Sequence, residues 1–192
     1  MAADQYALAT WANAITTSRL LLVPLMIWLV PSGDQGGWAA AALWLVLCCS
    51  DFVDGYLARK QGTTRSGAFL DPLADKVLVL GAMFALVSAE VFWIVPVVII
   101  AVREVGISVY RIFAGAKGVS VPASRMGKYK TLTQQFAVGF ALFPVTATSA
   151  TWLWKGFLWI AVVLTTVSGI QYLWRARTTP HLPIPADTPV TL

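Results

Sequence analysis

The chain has little charge. Of its 192 residues 12% are Asp, Glu, Lys or Arg, against 58% hydrophobic, and mean hydropathy is +0.71. A soluble domain carries about 25% charged residues, so that class is excluded and a polytopic membrane protein is expected. Histidine is also scarce: the one present, His181, lies in the polar C-terminal tail. The only two cysteines, Cys48 and Cys49, are adjacent in an apolar run. Neighbours on a helix point in different directions, which argues against a disulfide or a CxxC-type metal site and for small buried apolar residues. The net charge of +5 is not gathered into a basic arm or face. Its bases occupy short connections between apolar runs, so membrane orientation explains them and nucleic acid is not expected as a partner.

What is present is a set of apolar segments of spanning length, at about 13–31, 38–58, 72–89, 92–113, 131–149 and 152–173. The fold expected is all-α, with six transmembrane helices. Residues 1–12 are expected as an interfacial segment holding Tyr6 and Trp11, 13–175 as one membrane domain, and 176–192, rich in proline, as a disordered tail. The run LLLVPLMIWLV resembles the apolar part of a secretory signal. The long preceding segment with Asp4 and the single base Arg19 favours a first span instead.

Arg59, Lys60, Arg65 and Lys76 surround the second-to-third connection. Arg111, Lys117, Arg125, Lys128 and Lys130 surround the fourth-to-fifth, and Arg175 and Arg177 follow the last span. The opposite connections hold Asp34 and Glu90, with Lys155 the sole base. The positive-inside rule therefore places both termini on the cytoplasmic side of a cell membrane.

Against this apolar background, DFVDGYLARKQGTTRSGAFLDPLAD holds four aspartates. Ionisable residues near a bilayer interior are costly and mark function. Asp51 and Asp54 are three apart at the end of the second span, and Asp71 and Asp75 four apart at the start of the third. Each pair therefore shares a helical face. Gly55, Ala58 and Gly67 on those faces leave clearance for a ligand. Four close carboxylates need cations to neutralise them. Oxygen-only ligation selects Mg²⁺ or Mn²⁺, and no Glu-x-x-His pair supports a di-iron bundle. Two such ions about 3.5–4 Å apart suit phosphoryl transfer.

The pattern D-x-x-D-G-x-x-A-R, seven residues, then G-x-x-x-D-x-x-x-D resembles the signature of CDP-alcohol phosphotransferases. It is matched here by Asp51, Asp54, Gly55, Ala58, Arg59, Gly67, Asp71 and Asp75. The resemblance implies a CDP-linked lipid, CDP-diacylglycerol, with its diphosphate across two metals held by Asp51, Asp54, Asp71 and Asp75. It implies Asp75 as the base that takes the acceptor's hydroxyl proton, with CMP as the leaving group. Arg59 would meet the diphosphate charge. Asn13 and Thr16, in NAITTSR, would hydrogen-bond the cytidine or ribose, although Asn13 also suits a helix cap. A homodimer is implied as well.

The acceptor is read from two other stretches. AVREVGISVYRIF puts Arg103, Glu104 and Arg111 in or at the edge of an apolar helix, with the two arginines eight apart and so on nearly one face. Glu104 would neutralise a neighbouring base, as in a salt bridge with Arg103 inside the bundle, or position an acceptor hydroxyl. In VSVPASRMGKYKTLTQQ, the bases Arg125, Lys128 and Lys130 lie among Pro122, Ser124 and Gly127. This run, with the preceding R-E, resembles the phosphatidylglycerophosphate synthase branch, which implies glycerol 3-phosphate as acceptor. Its phosphate would be held by Arg103, Arg111, Arg125, Lys128 and Lys130. The alternatives within the family are a cardiolipin synthase or a phosphatidylinositol phosphate synthase. The alternative outside it, a cation-coupled transporter, conflicts with outer span halves such as LLVPLMIWLV and FWIVPVVII, which offer no polar path.

Overall fold

A computed structural model describes the backbone of residues 11–33, 35–61, 65–116 and 126–178; within these, the side chains of 11–15, 51–61, 65–72, 115–116, 126, 128 and 175–178 lie outside the described set. All the regular elements described are helices: α1 (Trp11–Leu29), α2 (Trp38–Gln61), α3 (Arg65–Ser88), α4 (Ile94–Ala116), α5 (Met126–Leu142), α6 (Pro144–Ser149) and α7 (Thr151–Thr178). The expected interfacial segment and tail fall mainly outside the described residues.

The six apolar segments correspond to α1, α2, α3, α4, α5 with α6, and α7. Among the described residues one helix, through Thr151–Trp174, is long and apolar enough by itself to cross a bilayer; Thr16–Leu29 and Trp38–Ser50 are shorter apolar runs. Several boundaries differ from the sequence reading, among them the start of α5, at Met126 rather than near 131, and the end of α7, at Thr178 rather than near 173. Helix α3 begins at Arg65, not near residue 72, so Asp71 sits inside the helix. The fifth segment is broken at Pro144, where Phe143 turns extended (φ −75°, ψ 117°). Proline has no N–H to give the carbonyl of residue 140 and forces its predecessor out of the helical region. The Thr146 hydroxyl donates to that Phe140 carbonyl instead, at 2.6 Å, so the break leaves the acceptor satisfied. Pro96, by contrast, lies in the first turn of α4, where no N–H donor is required. Cys48 is half-buried, but Cys49 is exposed, contrary to expectation, because adjacent helix positions diverge.

The helices pack with α1 against α2 and α3, α4 against α3 and α7, and α5 against α2, α3 and α7. The core is polarised along its axis. At one end Val23, Met26, Trp44, Leu47, Met83, Leu86, Val97, Ile100, Leu142 and Leu158 form a continuous apolar cluster. At the other end lie the buried polar side chains, Thr16, Arg19, Glu104, Lys130, Gln134, Thr165 and Ser168. These come from the first half of α1, the first half and centre of α5, the middle of α4 and the later half of α7. Exposed Trp28, Trp38, Trp93, Trp152 and Trp174 line the outside. A bundle apolar both inside and out suits lipid surroundings.

The connection after α1 closes the apolar end. Gly33 N donates to Ala89 O at 3.1 Å, and Gly37 N to Leu142 O at 2.8 Å. Gly36 has φ +64°, and a Cβ there would meet Leu142 O at 2.7 Å, so glycine is required both by backbone conformation and by the approach of α5. Gly36→Ala is therefore expected to lose more stability than Gly33→Ala. Gly33 also has positive φ (+87°) but nothing within 4 Å of an added Cβ, so its loss is the conformational part alone, about 1–2 kcal/mol. Thermal unfolding of the two variants in one detergent checks this; equal losses would remove the close approach as a constraint.

Candidate active site

The site is built where the polar ends of α3, α4, α5 and α7 meet. Asp75 projects from α3, half-buried, and its Oδ1 accepts a hydrogen bond from Gln135 Nε2 at 3.4 Å. The next residue, Lys76, donates its Nζ to Ser108 Oγ on α4. Ser108 in turn donates to the Glu104 carbonyl at 2.6 Å, one turn earlier on the same helix.

Glu104 is the centre of the cluster. It is 3% exposed, and its Oε1 accepts from Arg103 Nη1 at 3.1 Å and from Lys130 Nζ on α5. Arg103 Nη2 also donates to Ser168 Oγ on α7 at 2.9 Å. The next residue of α7 makes room for the arginine. A Cβ at Gly169 would lie 3.2 Å from Arg103 Cγ and 3.3 Å from its Nε. Among the described residues that buried Nε has no hydrogen-bond partner. A buried ion pair is favourable only when its remaining hydrogen-bonding capacity is met. Here one carboxylate serves two cations, and Lys76 adds a third close by, so the described cluster keeps an excess of positive charge.

The structure thus brings together three of the expected site residues, Asp75, Arg103 and Lys130, and adds Glu104 as their link. Among the described residues no hydrogen bond or ion pair ties Arg111 to this network. Arg111 is exposed two turns beyond Glu104, while Arg103 turns towards α7. Thr16 is buried in the early turns of α1, 1% exposed. Asp51, Asp54, Gly55, Ala58, Arg59, Gly67 and Asp71 lie on helical backbone with their side chains outside the described residues, as do those of Asn13 and Lys128; Arg125 is wholly outside them. The unbroken backbone through 51–61 and 65–88 does carry Asp51 with Asp54, and Asp71 with Asp75, at the one-turn spacing that shared ligation needs.

Helix α2, which carries the first pair, is docked on α5 two turns before Asp51. The Trp44 indole donates to the Gln135 carbonyl at 3.3 Å and lies against Gly139, where a Cβ would be 3.3 Å from Nε1. As donors, four carboxylates on two helices fit hard divalent ions. Among the described residues alone, no group of three His, Cys, Asp or Glu side chains is present.

Lys76 is read in the sequence only as an orienting base, and Ser108, Gln134, Gln135, Thr165 and Ser168 are not singled out there. Their one available signal is polarity inside otherwise apolar segments, as in KTLTQQ and LTTVSG. Gln134 Nε2 donates to Thr165 Oγ1 at 3.1 Å with both side chains buried. Thr165→Val should cost about 1–3 kcal/mol by stranding that amide. Adding Gln134→Leu should recover most of the loss, because both polar partners are then gone. Thermal stability of wild-type, single- and double-variant protein in detergent measures the coupling, and simple additivity would discount the bond.

The CDP-alcohol phosphatidyltransferase family model matches residues 9–167. A "Probable phosphatidylglycerophosphate synthase" of Mycobacterium tuberculosis is 35% identical over 178 residues, covering 88% of this chain and 82% of the relative. A "CDP-diacylglycerol--glycerol-3-phosphate 3-phosphatidyltransferase" of Bacillus subtilis is 36% identical over 187 residues, covering 87% and 96%. A protein of the same name from Haemophilus influenzae is 34% identical over 178 residues, covering 85% and 91%.

Proposed function

The chain belongs to the CDP-alcohol phosphatidyltransferase family, and from that premise we propose that it transfers the phosphatidyl group of CDP-diacylglycerol to sn-glycerol 3-phosphate, giving phosphatidylglycerol phosphate and CMP. The observation that carries this reading is the near full-length similarity to relatives whose names state that reaction. The cation-rich cluster beside Asp75 supports it, because a phosphorylated acceptor needs fixed positive charge near the reacting hydroxyl.

In this reading Asp51, Asp54, Asp71 and Asp75 hold two Mg²⁺ or Mn²⁺ ions, which would neutralise the diphosphate and stabilise the leaving CMP. Asp75 takes the proton from the acceptor's hydroxyl. The freed oxygen forms a bond to the lipid-side phosphorus as the bond from that phosphorus to the CMP oxygen breaks, and CMP leaves with the electron pair. Arg59 binds the diphosphate on the α2 side. Gly55, Ala58 and Gly67 leave room for the nucleotide, and Asn13 and Thr16 hydrogen-bond it. Arg103 and Lys130, with Arg111, Arg125 and Lys128, hold the acceptor phosphate.

The reading extends to the surroundings. Six spans formed by α1, α2, α3, α4, α5 with α6, and α7 would place the polar end of the bundle, the site and both termini on the cytoplasmic side of the cell membrane. Residues 13–175 would be the membrane domain, flanked by an interfacial segment and a tail, and the protein would work as a homodimer.

Purified protein given CDP-diacylglycerol and a divalent cation should release CMP with glycerol 3-phosphate, and not with phosphatidylglycerol or inositol phosphate. CMP release with either of the latter alone would overturn the acceptor assignment. Asp75→Asn should retain CDP-diacylglycerol binding and lose at least about 100-fold in kcat, the scale of a missing general base. Near wild-type turnover by that variant would take Asp75 out of the base role.

A further inference from the structure

We infer that Glu104 is a positioning residue for acceptor recognition, holding Arg103 and Lys130 in place from beneath as a preformed pair; the inference rests on the functional reading above. Three observations carry it. Glu104 is the buried partner of both cations, and a single oxygen, Oε1, receives both. Each cation comes to that oxygen from a different place. Lys130 reaches it across the α4–α5 boundary, while Arg103 is its own neighbour on α4 and is anchored to α7 through Ser168, over the space left by Gly169. The cluster also adjoins Asp75. Lys76 is next to Asp75 in the chain and joins Ser108 and the Glu104 backbone, and Gln135 contacts Asp75 from the helix that carries Lys130.

Physically, two like charges meeting at one oxygen repel each other unless a carboxylate lies between them. Glu104 supplies that carboxylate, and because a carboxylate repels a phosphate it acts on the acceptor through the two cations. Only part of the positive charge is neutralised, so attraction for an incoming phosphate persists. Among the described residues Arg103 has no hydrogen bond at Nε, and its guanidinium bonds to Glu104 and Ser168. Removing either therefore loosens the guanidinium. With neutral Gln at 104 the pair loses its common anchor, and ordering both side chains must be met from the binding energy of the acceptor.

Glu104→Gln should raise KM for glycerol 3-phosphate about 10- to 100-fold, the scale of a hydrogen bond to a charged group. KM for CDP-diacylglycerol should stay within about twofold, and kcat should fall much less than the acceptor KM rises. Ser168→Ala, which leaves the carboxylate and both cations in place, should shift the same constant in the same direction by a smaller factor. It also provides the test if Glu104→Gln does not fold. Glu104→Gln added to Lys130→Gln should cost less than the two separate effects multiplied, because both act through one contact. An unmoved acceptor KM in the folded variants, or equal rises in KM for both substrates, would overturn the positioning role while wild-type turnover with glycerol 3-phosphate leaves the functional reading standing. Wild-type protein inactive with glycerol 3-phosphate would overturn the functional reading, and this inference with it.

Discussion

One buried carboxylate ties the polar end of the bundle together. Glu104 on α4 reaches Lys130 on α5 directly and Ser168 on α7 through Arg103, and Ser108 on the following turn engages Lys76 on α3. Three helices thus converge on one short stretch of α4. Polar groups this deep are stable only as a connected network, because each unmet donor or acceptor costs about 1–3 kcal/mol. The network consequently fixes which faces of α3, α5 and α7 turn inward. The apolar half of the core is permissive by comparison, since Leu, Met and Val side chains tolerate small relative rotations that a charged pair does not.

That division explains what could be read from the chain. Helices, their approximate extents and the one-turn pairing of aspartates depend on local spacing, and all three are legible in a single sequence. So was the possibility of an Arg103–Glu104 pair, because the two are adjacent. The break at Pro144 was also written locally, but apolar residues on both sides hid it within one long hydrophobic run. The contacts Lys76–Ser108, Lys130–Glu104 and Gln135–Asp75 were not legible. They join residues 26 to 60 positions apart, and no periodicity encodes which polar face of one helix will meet which face of another. Lys130 therefore read as a loop base near the fifth span, although it is a buried side chain in α5. The aspartate signature was visible for the opposite reason: its chemistry is repeated at fixed short spacing.

The two ends of the bundle constrain a single quantity, the axial position of α5. At the polar end α5 carries Lys130 and, five residues on, Gln135, the donor to Asp75. At the apolar end its last carbonyl accepts from Gly37, Gly36 approaches it closely, and Pro144 stops it from extending. Between them, Trp44 of α2 lies against Gly139 and bonds the Gln135 carbonyl. A slip of one residue along a helix is about 1.5 Å of travel and about 100° of rotation. Such a slip would separate Lys130 from Glu104 and turn Gln135 away from Asp75. Geometric errors of about 1 Å can cost about 100-fold in rate, so the spacing between a proton-accepting carboxylate and the cations that hold the acceptor cannot be left to one contact. Here α5 is held at the middle and at both ends, and its contacts come from α2, α3, α4, α7 and the connection after α1. The features farthest from the aspartates, a glycine at positive φ and a proline-terminated helix, thereby belong to the same geometric problem as the site itself.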